Sequence, residues 1–410
     1  MTEVNTSTLL AFAGLGYIGG GYALFFPLVF LVGLIFYALT VAKKWKELDA
    51  SSVTELFINR YGKKLGYFAS IYLIVAMMGF TATYVKSITL IFSPLFPNIS
   101  PFMLTGGFVF ITLFMTLRGG LIAIIRTDIV SFLLMSITLP LLLFFTYREA
   151  PNISIYSHPL FENASTLLPP RFIISLIILT MFTYILAPWY GQKIFSAKSS
   201  KVAFSSVLLA AFLVFVFYGI GVIATSLLRI SGAQLASPDQ AIPYLIHNYL
   251  PIGCKGLAYA VLLSICATTL AGIWNAMSSM ILADFWKKST TPNNYKRGLW
   301  LTLFFAICSF FMGNLLIDRI LDKLILANIP IAALSFALIG GFYYKKTSPF
   351  GAALSIFTGL AIGIGSYLYF GEEGCYTWYW ACYGIPLIFG TGILGSYLIP
   401  GTKPTHALDN

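Results

Sequence analysis

Two adjacent threonines, Thr268 and Thr269, stand in the middle of the apolar stretch from Lys255 to Lys288. A helix of this length, at about 1.5 Å per residue, crosses a hydrocarbon core of about 30 Å with some tilt. Polar groups at mid-depth need partners, because lipid offers none. The hydroxyls could bind a small hard cation together with carbonyls of a broken helix. They could equally donate to carbonyls one turn back and assist helix packing, and this helix alone leaves both interpretations open.

The composition decides the broad class of the protein. Of 410 residues, 58% are apolar and 10% are charged, which indicates a polytopic integral membrane protein. The five cysteines and three histidines show neither paired spacing nor a cluster, so we expect no disulfide framework and no histidine-bound metal. No pair of buried carboxylates and no serine–histidine set is evident, so we expect that the chain is not an enzyme.

Apolar segments of membrane-spanning length predict the helices that must position the threonines. The segment Thr8–Tyr22 is rich in glycine and too short to span, so it reads as the second half of a helix. Complete spans are predicted at 22–42, 65–91, 100–117, 120–147, 170–192, 202–229, 255–285, 297–316, 320–343, 348–370 and 376–399.

The basic residues test this arrangement. With alternating loops, seven of the 25 lysines and arginines fall on one membrane face (Lys86, Arg148, Arg171, Arg229, Lys255, Arg319 and Lys323) and the others fall on the opposite face. This bias predicts a plasma or inner membrane protein with a cytoplasmic C-terminus, and it explains the net charge of +11 without a nucleic-acid partner. The loop Lys43–Lys64, with Val53, Leu56 and Phe57, predicts a short amphipathic helix on the inner membrane surface.

Five motifs follow one another along the chain in an order that resembles one family. They are DASSVTELFINRYG at Asp49–Gly62, RGGLIAIIRTD at Arg118–Asp128, PWYGQKIFSAKS at Pro188–Ser199, PDQAIP at Pro238–Pro243 and KTSPFGA at Lys346–Ala352. Each motif alone is weak, but the five in this order resemble the sodium:solute symporter family, which contains sodium-coupled proline, pantothenate, sugar and choline carriers.

The resemblance implies a fold and a domain organisation. The fold would be an all-α, leucine-transporter-like inverted repeat of five plus five helices, with about eleven complete transmembrane helices and a partial first helix. Residues 1–410 would form one transporter domain. Within it, 1–21 would be the partial broken helix, 22–343 the core helices, 344–400 the accessory helices and 401–410 the tail.

The resemblance also implies sodium as the coupling ion. Thr268 and Thr269 match the family's paired hydroxyls that bind sodium with backbone carbonyls, here those of Ile265 and of Val4 in the broken first helix. The match places that break near Met1–Ser7, so the chain would lack the helix before it and the first half of the first core helix. Either the true start would lie upstream, or transport would be lost or altered.

A solute site is expected beside the sodium, and its candidate lining residues are Thr8, Phe26, Thr83, Tyr84, Trp189 and Tyr190. Their character favours an amino acid, a quaternary amine or a carboxylate over a sugar. The aromatic residues could instead serve in ordinary packing or an interfacial belt. No obligate protein partner is evident. A membrane sensor that binds solute without transport is the alternative function.

Two aspartates have separate expectations. Asp128 would lie on the inner exit route of the ion, as in the family, or would stabilise the amino-terminal end of a helix that begins at Gly119, with Arg126 close by. Asp284 would anchor the inner end of its helix near Lys287 and Lys288.

Overall fold

A computed structural model describes residues 3–48, 52–149, 168–286 and 292–401. This part of the chain is helical, without β-strands. The α-helices are α1 (Thr6–Gly19), α2 (Phe25–Tyr37), α3 (Lys43–Glu47), α4 (Glu55–Tyr61), α5 (Lys63–Phe92), α6 (Pro101–Glu149), α7 (Pro170–Tyr184), α8 (Pro188–Phe195), α9 (Ser200–Ile230), α10 (Ala241–Tyr249), α11 (Ile252–Phe285), α12 (Pro292–Leu315), α13 (Ile320–Leu326), α14 (Ile329–Ala333), α15 (Ser335–Tyr343), α16 (Pro349–Phe370), α17 (Tyr376–Tyr379) and α18 (Ile385–Leu398).

The first two helices form a hairpin. Gly20 has φ +62° and ψ −147°, a conformation that is essentially restricted to glycine, and it ends α1. The ring of Phe12 on α1 lies 5.2 Å from that of Phe30 on α2. In one continuous helix these residues would be about 27 Å apart, so the chain must reverse between them. The glycines of the predicted partial helix therefore make a turn.

The span prediction is largely confirmed. Nine helices in the described ranges are long and apolar enough to cross a membrane, or ten if the bent pair α7 and α8 counts as one span. The first of the nine runs from Thr6 to Glu47 and contains the hairpin, and Pro101–Leu117 is a further, shorter apolar helix. With the bent pair counted as one span there are ten; dividing the first at its turn and adding the shorter helix then gives twelve segments, which correspond to the eleven spans and the partial helix that the sequence predicts.

The structure departs from the predicted spans at three places. Helical backbone continues through α6, where two helices separated near 118–119 were expected. The predicted span 170–192 is bent by 50° between α7 and α8, because Pro188 begins a new helix and disfavours a helical conformation at the residue before it. The predicted span 320–343 consists of three short helices, α13 to α15.

Large apolar side chains cover the outer surface of the bundle, as expected for contact with lipid. Phe110 is 68% exposed, Leu209 61% and Trp300 70%. The interior contains fully buried aromatic residues, among them Trp45, Trp274 and Trp380. All five cysteines are free, which agrees with the expectation of no disulfide framework.

The segment Ser52–Gly62, here called the inner segment after its predicted side of the membrane, packs against the rest of the protein. Val53, Leu56 and Phe57 are each no more than 2% exposed, and the Tyr61 hydroxyl donates to the Ala337 carbonyl on α15. The predicted short helix is present as α4, but Leu56 and Phe57 face the protein and not lipid. A pattern of apolar and polar residues shows that one face of a helix is apolar, but it does not show whether that face packs against protein or against lipid.

Candidate functional site

The residues directly before α1 are buried, and side chains hydrogen-bond to their backbone. Asn5 has φ −126° and ψ 159°, and its side-chain oxygen accepts from the Thr8 amide at 2.8 Å. The Tyr218 hydroxyl donates to the Glu3 carbonyl at 2.7 Å and accepts from the Asn5 amide at 3.1 Å. The Thr8 amide, which would otherwise donate to the Val4 carbonyl, donates to the Asn5 side chain instead. The first helical hydrogen bond therefore ends on the Asn5 carbonyl, and the carbonyl of buried Val4 accepts no hydrogen bond of the helix.

A small cavity of about 60 Å³, the central cavity, lies beside this segment. Its walls come from α1, α2, α5, α7, α8, α13 and the ends of neighbouring helices. Glu3 is the one charged side chain among its lining residues, and the Tyr184 hydroxyl donates to the Glu3 carboxylate. A carboxylate that is 6% exposed in an otherwise apolar and aromatic setting is costly unless it is compensated, so it marks a candidate functional site.

Aromatic rings form much of the cavity wall. Phe80 and Trp189 meet edge to face at 5.2 Å, and Tyr184 and Tyr190 do so at 5.6 Å. Tyr190 is 8% exposed, and its hydroxyl has no hydrogen-bond partner among the described residues. Buried polar groups are usually paired, so this hydroxyl is available to a molecule in the cavity.

The two threonines on α11 both donate to the same backbone oxygen. Thr268 Oγ1 lies 3.2 Å and Thr269 Oγ1 2.8 Å from the Ile265 carbonyl. Both hydroxyls thus make the hydrogen bond to the preceding turn that the packing interpretation expects. The same contacts also place three oxygens close together, those of the two hydroxyls and of the Ile265 carbonyl. Each hydroxyl oxygen keeps lone pairs for a further ligand while it donates to the carbonyl.

This point on α11 lies close to the beginning of α1. The Cys266 thiol donates to the Tyr84 carbonyl at 3.5 Å and lies within hydrogen-bond reach of Thr6 and Ser87. Thr6 and Ser87 are themselves linked at 2.6 Å between their hydroxyl oxygens. The start of α1, the outer half of α5 and the middle of α11 therefore meet at Cys266.

The structure brings together four of the six predicted solute-site residues. Thr8, Tyr84, Trp189 and Tyr190 line the central cavity. Phe26 and Thr83 do not belong to its lining. Phe26 is fully buried against the rings of Phe12 and Phe172, and Thr83 is fully buried with its hydroxyl donating to the Phe80 carbonyl at 2.8 Å. The difference follows from helix rotation, which the sequence pattern leaves undetermined.

A second, larger cavity of about 440 Å³, the vestibule, shares Glu3 and Tyr190 with the central cavity. Val4 lines the vestibule, and so does Lys193. Lys193 Nζ lies 2.7 Å from an oxygen of Asp128, the residue predicted on the ion route. The dipole explanation of Asp128 is wrong, because α6 does not begin at Gly119. Asp128 is instead part of an ion pair beside the vestibule.

Asp284, at the end of α11, holds the inner segment. It accepts hydrogen bonds from the hydroxyls of Ser52 at 2.9 Å, Ser70 at 2.8 Å and Thr54. The sequence correctly predicted an anchor at this helix end, but the anchored groups are hydroxyls. The predicted partners, Lys287 and Lys288, lie outside the described residues.

Sequence reasoning missed the acid at the centre of the site and its tyrosine partners. Glu3 has no role in the sequence analysis, although it lies within the predicted helix break near Met1–Ser7. Acidic residues are scarce here, 14 in 410, and one within a predicted break in a membrane helix is a usable signal. Tyr184 and Tyr218 carry no such signal, because their roles depend on tertiary contacts.

Comparison with known proteins decides the family. The sequence profile of the sodium:solute symporter family matches residues 1–359. The chain belongs to this family. It is 24% identical over 348 residues to the sodium/pantothenate symporter of Haemophilus influenzae, an alignment covering 80% of this chain and 70% of that protein. It is also 24% identical over 318 residues to human sodium/glucose cotransporter 4, covering 64% of this chain and 46% of that protein, so it spans less than half of that relative's length.

Solved structures confirm the fold. A Na+-coupled sialic acid symporter in a substrate-bound outward-open state superimposes with a TM-score of 0.73 at 17% identity, covering 98% of this chain and 92% of the other. A manganese transporter from Eremococcus coleocola gives a TM-score of 0.52 at 12% identity, covering 96% and 93%. The family member described here is thus an integral membrane protein with a leucine-transporter-like fold. Its family and its structural neighbours are transporters rather than enzymes.

Proposed function

We propose that this family member is a sodium-coupled symporter that moves a small organic solute across the membrane. The observation that carries the proposal is the meeting of the start of α1 with the middle of α11, beside the central cavity. On α11, the oxygens of Thr268, Thr269 and Ile265 converge, and a small hard cation prefers such oxygen ligands.

The start of α1 supports the same assignment. The Val4 carbonyl lies outside the helical hydrogen-bond ladder, and the buried Ser7 hydroxyl has no partner among the described residues. Both oxygens are therefore available to a cation. Family membership agrees with sodium as that cation.

The solute would occupy the central cavity and leave through the vestibule, past Lys193 and Asp128. Thr8, Tyr84, Trp189 and Tyr190 would contact it, and Asp128 would lie on the ion's exit route. The basic face, which carries the inner segment and the C-terminus, would be cytoplasmic in a plasma or inner membrane.

The test is uptake of labelled solutes into proteoliposomes with and without a sodium gradient, together with the sodium-dependent shift of Tm of the purified protein. The variant Thr268→Ala/Thr269→Ala should lose both sodium effects. A matched control is Ser136→Ala/Thr138→Ala on α6, where the hydroxyls also donate one turn back, each at 2.8 Å. An unchanged sodium effect in the first double variant would refute the assignment of these hydroxyls.

A further inference from the structure

The charge of the central cavity carries information about the solute. Its lining contains one carboxylate, Glu3, and no lysine, arginine or histidine. Tyr184 donates to this carboxylate, and Tyr218 holds the Glu3 backbone through its carbonyl. The acid is thus held at the cavity by hydroxyl groups from two helices, α7 and α9.

We propose that the central cavity binds its solute through an ammonium group whose positive charge is balanced by Glu3. This inference rests on the proposed symport function and specifies its substrate class. A buried carboxylate is stable next to a cation and unfavourable next to an anion, because the low dielectric of the interior strengthens both interactions. An ammonium-bearing solute therefore complements the central cavity, whereas a solute whose main charge is a carboxylate does not.

The aromatic walls support the same chemistry. The rings of Tyr184 and Tyr190 meet at 88° and those of Trp189 and Tyr190 at 49°, so the aromatic rings that line the cavity differ in orientation. Ring faces attract ammonium groups, and most strongly where water is excluded. The unpartnered Tyr190 hydroxyl can hydrogen-bond a second polar group of the solute.

This charge distinguishes the chain from relatives whose named solutes are acids. The similar proteins include a sodium/pantothenate symporter and a sialic acid symporter, and both of those solutes carry a carboxylate. In the central cavity such a carboxylate would meet Glu3 without a lysine or arginine among the lining residues to offset it.

A competing role for Glu3 must be separable in the experiment. Glu3 directly precedes Val4, a proposed sodium ligand, so its charge could act on the ion instead of the solute. Binding of the ion and of the solute should therefore be measured separately on the same preparation.

The experiment is equilibrium binding to the purified full chain in nanodiscs at saturating sodium. The probes are tetramethylammonium, choline, the neutral choline isostere 3,3-dimethylbutan-1-ol, proline, glucose and pantothenate. We expect at least one ammonium probe to bind, and the neutral isostere, glucose and pantothenate to bind at least about 30-fold more weakly. Binding of choline without proline would identify a quaternary amine as the solute class, and the reverse would identify an amino acid.

Variants then test the residue. Glu3→Gln should weaken ammonium binding at least about 30-fold while the sodium-dependent shift of Tm remains, and Glu3→Asp should retain part of the affinity. Glu373→Gln, which removes an exposed carboxylate on the turn after α16, is the matched control and should change neither property.

The outcomes separate this inference from the proposed function. A sodium-dependent shift of Tm without binding of any ammonium probe overturns the inference and leaves the symport proposal standing. The inference is also overturned if Glu3→Gln binds the ammonium probes with the affinity of the unmodified protein. It is overturned likewise if Glu3→Gln loses the sodium-dependent shift of Tm while its solute binding is unchanged. Absence of any sodium effect in the unmodified protein defeats the proposed function itself.

Discussion

Replacing Asp284 by asparagine should loosen the inner segment from the end of α11. Its two carboxylate oxygens accept three hydroxyl hydrogen bonds, from Ser52, Thr54 and Ser70. An asparagine can keep one oxygen facing Thr54 and Ser70, and Ser52 can reverse its hydroxyl to accept from the new amide. The number of hydrogen bonds can thus be retained, and what changes is the charge of the acceptor.

The expected magnitude follows from that change. A hydrogen bond to a charged group contributes about 1.5–3 kcal/mol and a neutral one about 0.5–1.5 kcal/mol, so the loss is about 1 kcal/mol for each bond. Three bonds give at most about 3 kcal/mol, because an asparagine is also less costly to bury than a carboxylate. At about 1.4 kcal/mol per factor of ten, the open population of the inner segment should rise by up to about 100-fold.

Hydrogen–deuterium exchange of the inner segment measures this opening. The reporting amides are those of Glu55 and Ile58, which donate to the Ser52 and Thr54 carbonyls at 3.2 and 3.1 Å. Asp318→Asn, at an exposed aspartate between α12 and α13, is the control and should leave their exchange unchanged. If Asp284→Asn exchanges no faster than the unmodified protein at these amides, the reasoning that Asp284 holds the segment is refuted.

Two further substitutions test packing and burial. Gly351→Ala should destabilise the protein and lower its Tm, because the added Cβ would lie 2.1 Å from the Ser396 hydroxyl oxygen and 2.5 Å from a backbone oxygen. The control is Gly365→Ala, which should leave the Tm unchanged because the space around Gly365 is open. Asp239→Asn should raise the Tm at neutral pH, because burial raises the pKa of Asp239 and folding therefore opposes its charged form. The asparagine oxygen can still accept the hydrogen bond from the Ile320 amide. An unchanged or lowered Tm would contradict this prediction.

The sequence predicted the helices well because membrane spans are long, apolar and limited in length by the bilayer. It failed where local backbone or tertiary contacts decide. The break after Tyr184 depends on Pro188, which was visible in the sequence but was read as lying within a span. Leu56 and Phe57 pack against the protein instead of the membrane, and predicting this would require knowing which other elements lie next to them.

The candidate site was predictable in part for the same reason. Four of the six predicted solute-site residues line the central cavity, and the hydroxyls of Thr268 and Thr269 both donate to the Ile265 carbonyl. Ion binding by the two threonines stays a prediction. Phe26 and Thr83 were misplaced relative to the cavity because their helix faces depend on rotation. The ion pair between Asp128 and Lys193 joins residues that are 65 positions apart, and a single sequence carries no signal for such a contact.

The sharing of Glu3 and Tyr190 by the two cavities has a kinetic consequence. On the vestibule side, Tyr190 lines both cavities, so we expect movement of this one side chain to change the passage between them. On the opposite face, the loop after α9 closes over α1: Tyr17 donates to the Ala233 carbonyl at 2.7 Å, and Gly14 lies against Pro238. Opening that face would break these contacts between the loop after α9 and α1, so under the proposed symport function we expect it to require a larger rearrangement than a side-chain movement at Tyr190.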